Sequence, residues 1–137
     1  ARTPFGHCRG TVTEGGQPIA YVTAINLSLN NNITTQQYWG DCDTGDLTDG
    51  RAEVSGTLTV FFVSDVLYNK FVSGAASSLS FTLDNGTHTM TFDMPKIKYS
   101  SGEKASGNSS DPRTITLGFN AYAPSTTGSA LTITRSA

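Results

Sequence analysis

Apolar residues alternate with polar ones over most of this chain, the spacing of strands with one buried face. Residues 54–63, VSGTLTVFFV, alternate in this way and are rich in Val, Thr and Phe, which predicts a strand. They run directly into residues 64–73, where Ser64 and Asp65 are able to cap a helix and Val66, Leu67, Lys70 and Phe71 stand about three and four apart. One short helix is expected there, ending near Gly74. Ile25, Leu27 and Leu29 alternate with Asn26 and Ser28, so residues 19–29 read as a long strand with one wet face. Asn30, Asn31 and Asn32 then break it, because Asn tolerates a left-handed backbone.

Shorter strands complete the pattern. Gly15 and Gly16 suit a hairpin turn between residues 10–14 and 17–22. Leu79, Phe81 and Leu83 alternate with Ser80 and Thr82, and Asn85-Gly86, with both positions accepting positive φ, turns the chain into residues 87–94. Pro95 is expected to close that strand, with a new short one at 96–99 and the last two at 114–123 and 131–135. Three stretches lack any period: an N-terminal arm at 1–10 and long loops at 33–50 and 100–112. Tyr38 and Trp39 sit in the first loop. Burying two large aromatics repays the ordering of that segment, so docking is expected there, onto a neighbour.

Composition narrows the class. At 137 residues the chain fits a single domain, 1–137, with a core that needs no metal or disulfide. Only 15% of residues are charged, and 14 are Gly, which favours an all-β fold with a neutral surface of Ser, Thr, Asn and Gly. The net charge is -2 and no Lys/Arg run occurs, which argues against gripping nucleic acid through its phosphates. No stretch reaches the length of an apolar membrane span, and the N-terminus shows no charged start followed by an apolar core. The chain therefore reads as soluble and unexported, with no membrane partner.

Candidate chemistry is sparse. Asp41, Asp43 and Asp46, with Asp49 beyond them, are weak calcium candidates, because carboxylate oxygens converging from one tight loop suit a hard cation. Against an EF-hand loop the glycine is misplaced, and Ala52 stands where the twelfth-position Glu belongs. His7, Cys8, Cys42 and His88 lack the spacing of a zinc site, and the two cysteines support either one disulfide or none. No serine lies in a G-x-S-x-G elbow and no carboxylate pair is marked out, so no enzymatic activity and no cofactor are expected. Tyr21, Tyr38, Trp39, Tyr99 and Tyr122 are candidates for stacking on sugar rings, which keeps a carbohydrate-binding or adhesin-like β-sandwich as the alternative.

The order of motifs carries more than any one of them. A strand ending in NLSLNNN, a polar loop, a DGRAEVSGTLTVFF strand, a LYNKF helix, the pair SLSFTLDNGTHTMTFDMPKIKY and a terminal TITRSA together resemble the tail tube proteins of long-tailed phages. The resemblance implies a β-sandwich or barrel flanked by one short helix at about residues 64–73. It also implies hexameric rings stacked into a hollow tube, a conduit for DNA, located in the virion tail and assembled in the bacterial host cytoplasm. Implied partners are further copies of the chain, a tape measure protein and DNA in the lumen, and tail terminator and distal tail proteins. Phe5, Tyr38, Trp39, Tyr68 and Phe71 are the candidates for contacts between subunits. Many relatives carry a further tube-like half, so the chain also reads as a possible excised domain. A terminator or baseplate ring on the same fold is the alternative within this setting.

Overall fold

Gly15 and Gly16 take φ of +58° and +80°, a conformation that glycine adopts without steric penalty. They turn β1 (Val12–Glu14) into β2 (Gln17–Ile19), with Glu14 opposite Gln17. The long strand expected at 19–29 is interrupted at Ala20 and Tyr21, and β3 runs from Val22 to Asn30. Its end is set as anticipated: Asn32 adopts φ +49° and its amide donates to Asn30 Oδ1 at 3.0 Å. The computed structural model describes residues 5–6, 10–40, 45–63, 65–105, 110, 112–125 and 128–136.

The segment 33–50 is not a plain loop. Thr34–Gln36 (β4) pairs antiparallel with Asp46–Thr48 (β5), forming a two-stranded sheet separate from the main one. Next come β6 (Glu53–Phe61), α1 (Val66–Ser73) and β7 (Ser77–Asp84). Gly74 ends α1 in the left-handed conformation, φ +64°, its amide donating to Phe71 O. Asp65 stands at the N-cap but makes no side-chain cap bond, contrary to expectation. Leu67, Tyr68 and Phe71 pack against the core, while Val66 is exposed.

The turn after β7 is wider than a two-residue hairpin. Asp84 pairs with Thr89, Asn85 keeps negative φ, and its Oδ1 instead accepts the amides of Thr87 and His88, at 3.0 and 2.7 Å. The larger correction concerns β8, a single strand from Thr89 to Ala105 that absorbs Pro95, the separate 96–99 strand and the start of the 100–112 loop. Pro95 is tolerated because no neighbour needs its missing N–H. The register against β7 shifts there, β10 (Thr132–Arg135) reaches only to Asp93, and β9 (Thr114–Ala121) ends opposite Ile97. A second irregularity follows between Tyr99 and Ser101.

The main sheet runs β2-β1-β7-β8-β9-β6-β3, with β10 added beside the first half of β8. Its two ends, β2 and β3, are joined by only Ala20 and Tyr21, so the sheet has to curl until they flank a common interior. Ile19 and Val22, one from each end, both pack against the same core of Leu58, Leu79, Met94, Ile97, Leu117 and Phe119. The result is an all-β, barrel-like fold with one short flanking helix, as the resemblance to tail tube proteins implied.

Candidate assembly surfaces

Residue alternation and register divide the β8-β9-β6-β3 layer into two faces. On the inner face, Leu27, Gly56, Phe119 and Tyr99 lie in one row across the four strands. A side chain at Gly56 would collide with the Asn26 carbonyl and the Phe119 ring, which explains the glycine in mid-strand. On the outer face the rows read Ser28, Ser55, Asn120, Lys98, then Asn26, Thr57, Gly118, Ser101, then Ala24, Thr59, Thr116, Glu103. Asn26 Nδ2 donates to Thr57 Oγ1 at 3.2 Å and the Thr59 and Thr116 hydroxyls lie 3.3 Å apart, so neighbouring strands share hydrogen bonds across this face. It is largely a hydroxyl and amide surface, with Lys98 and Glu103 at its β8 border, Glu53 beside Asn30 at one end and the exposed Phe61 ring at the other.

Two long edges bound this layer. Among the described residues β3 pairs only with β6, which leaves its other side open over nine residues. At the opposite border, β7 pairs with β8 only as far as Ile97, so residues 98–105 of β8 face no strand on that side among the described residues. The remaining edges are short: β2 has three residues including Pro18, and β10 has four.

The inner face of residues 98–105 is covered by α1. Phe71 lies against Gly102, where a Cβ would approach its ring to 2.7 Å, and Lys104 Nζ sits 3.7 Å above the Tyr68 ring and 4.8 Å above that of Phe62. The helix is further pinned by a polar group that sequence reading missed. Glu14 is buried, at 4% exposure, and accepts Lys70 Nζ at 2.7 Å and the Tyr99 hydroxyl at 3.3 Å. Burial, then the charge of Glu14 and its hydrogen bond, push the Tyr99 phenol well above its ordinary range. One signal for this triad was available: alternation from Val12 places Glu14 on the same inward face.

The other candidates separate. Trp39 is fully exposed and Tyr38 largely so, so this loop is not buried within its own chain; a Cβ at Gly45 would collide with the Tyr38 ring. Tyr68 and Phe71 are half-buried against the chain's own core, and Phe5 is half-buried beside the Gly6–Asp84 bridge. Asp46 lies in β5, its Oδ1 accepting the Leu47 amide at 2.9 Å, while Asp41 and Asp43 fall outside the described residues, as do His7, Cys8 and Cys42. Among the described residues no three His, Cys, Asp or Glu side chains form a metal-holding group.

Residues 1–121 match the family of phage tail tube proteins. The chain belongs to that family. Among solved structures, this tube-family chain is similar to the sheath/tube terminator of the PVC extracellular contractile injection system in its extended state, at 16% identity over 99% of both chains with a TM-score of 0.69. It is similar to the tube-terminating cap of the anti-feeding prophage at 15% identity, over 99% of this chain and 94% of that one, with a TM-score of 0.70. A chain of the PVC sheath–tube complex, 14% identical over 96% and 91%, gives 0.68. At these identities the likeness is one of fold. No curated protein sequence matches the chain.

Proposed function

We propose that the chain is a structural subunit that closes into rings of a phage-type tail tube and has no catalytic role. The observation that carries this reading is the β8-β9-β6-β3 layer with an open edge of similar length at each border. Successive strands in the layer are antiparallel, and there are four of them. Placing β3 of one copy beside residues 98–105 of β8 in the next therefore continues the alternation unbroken. This contact joins different surfaces of the two copies, so it repeats from copy to copy, and with a rotation that closes it makes a ring rather than an open filament. A two-fold pairing of β3 with β3 leaves the β8 edge open.

Six copies per ring is the number we adopt. A chain of this fold, 11% identical over 91% of this chain and 90% of that one with a TM-score of 0.58, occurs in the six-fold symmetrised baseplate of the anti-feeding prophage. In the closed ring the inner face of each layer is backed by α1, β1 and β7, which leaves the hydroxyl and amide face to line the bore. A wall without a basic patch suits DNA passage, because a cationic one releases counterions and holds the polyanion. The exposed β4–β5 pair with Tyr38 and Trp39 projects beyond the Asn30 and Glu53 ends of the layer and reaches the next ring. A terminating ring is the second reading, favoured by the near-complete mutual coverage with the PVC sheath/tube terminator.

Sedimentation velocity with negative-stain imaging of the purified chain tests the proposal. Rings of six that stack into tubes are expected; single rings that never stack point to the terminator. A monomer at high concentration overturns both readings.

A further inference from the structure

The barrel has an unclosed seam. Where β3 begins, its free edge faces β1 and β7 across a groove of about 770 Å³, walled by Val12, Ile19, Val22, Ile25, Phe81 and Leu83, with no charged side chain among the described residues of its lining. A largely apolar groove of this size in a lightly charged protein calls for an occupant. None of the described residues of the same copy fills it.

The topology supplies one. α1 covers the inner face of β8 along the half whose edge is open, through Phe71 on Gly102 and Tyr68 under Lys104. The groove lies along the open edge of β3. Once those two edges pair, the α1 of one copy is carried against the seam of the next. Two valines flank the exposed side of that helix on either side of Asn69: Val66 is 58% exposed and Val72 66%, and Val63 just before the helix is 63% exposed.

Resting on the ring reading above, we propose that the seam groove receives α1 of the adjacent copy, with Val66 and Val72 as its anchors, so that each barrel is completed by its neighbour's helix. The binding mode is an amphipathic helix laid in an apolar groove. The helix thus serves two cores. Its Leu67–Phe71 side packs at home, and its valine flanks pack next door. The Lys70–Glu14 pair holds the helix at the angle that presents them.

The test uses the full chain carrying Val66→Glu with Val72→Glu, and separately Ala20→Glu, which places a charge at the exposed lip of the groove. Both variants are expected to keep wild-type circular dichroism and to raise the concentration needed for rings at least about tenfold. A photo-crosslinker at position 72 is the second arm, and covers the case in which the helix variant loses its fold. Its cross-links are expected between copies, onto residues 18–25 or 81–83. Rings that form at the wild-type concentration in both variants, or cross-links that land elsewhere on the neighbouring copy, overturn the helix assignment and leave edge pairing intact. Failure of the wild-type chain to form rings at all overturns both.

Discussion

Glu14 shows how one buried charge fixes an interface between elements. It sits on the inward side of β1, where water is excluded, and its carboxylate is held by Lys70 from α1 and Tyr99 from β8. Removing the cation leaves the carboxylate buried without its counter-charge, which costs more than the pair contributes when intact. Lys70→Met is expected to destabilise the chain by about 2–4 kcal/mol in urea unfolding, the lower side of the range for buried pairs because Lys70 is partly exposed. Tyr99 adds a pH dependence. Its phenol is held protonated in the native state well beyond the ordinary range, so above about pH 10 the unfolded chain releases a proton that the native chain keeps. Native stability then falls as pH rises. Tyr99→Phe is expected to cost about 1 kcal/mol at pH 8 and to lose less stability than wild type between pH 9 and 11, compared by urea unfolding at each pH.

Among the elements, α1 owes its limits to backbone geometry at one end and to very little at the other. Gly74→Ala forces a Cβ into a left-handed position and is expected to cost about 1 kcal/mol. Asp65→Ala, at an N-cap that makes no side-chain bond, is expected to change thermal unfolding by less than about 0.5 kcal/mol. Alternation made most strands legible, as in β6 and β9, because one face of each packs on the core and the other stays polar. It failed where register rather than side-chain pattern decides. Pro95 reads as a stop, yet it falls at a bulge between two partner strands, and Ser100–Ala105 reads as loop although β9 gives it a ladder. The helix, the Gly15–Gly16 turn and the Asn break were visible because each depends on local backbone preference. The Glu14 triad and the open half-edge of β8 depend on contacts between distant segments, which spacing does not encode. The β4–β5 pair keeps Trp39 in solvent. If it bridges rings as proposed, Trp39→Ala is expected to shorten tubes severalfold in electron micrographs while leaving single rings intact.

On the scale of the whole molecule, ring closure rests on open strand edges. Long free edges are an aggregation hazard for a solitary domain, and proteins ordinarily shield them with charge, proline or a covering element. Here the short edges are left to β2 and β10, while the two long ones bound the same layer and run in opposite directions, as antiparallel pairing between copies needs. Heterologous pairing turns that hazard into closure, and the neutral face follows as the lining of the bore. A cryo-electron microscopy reconstruction of the assembled chain, at a resolution that traces strands, tests this most directly. In the assembled ring, β3 of each copy is expected to run antiparallel beside residues 98–105 of its neighbour's β8 in a continuous barrel around a six-fold axis. Rings in which either edge stays unpaired, or meets any other element, would contradict it.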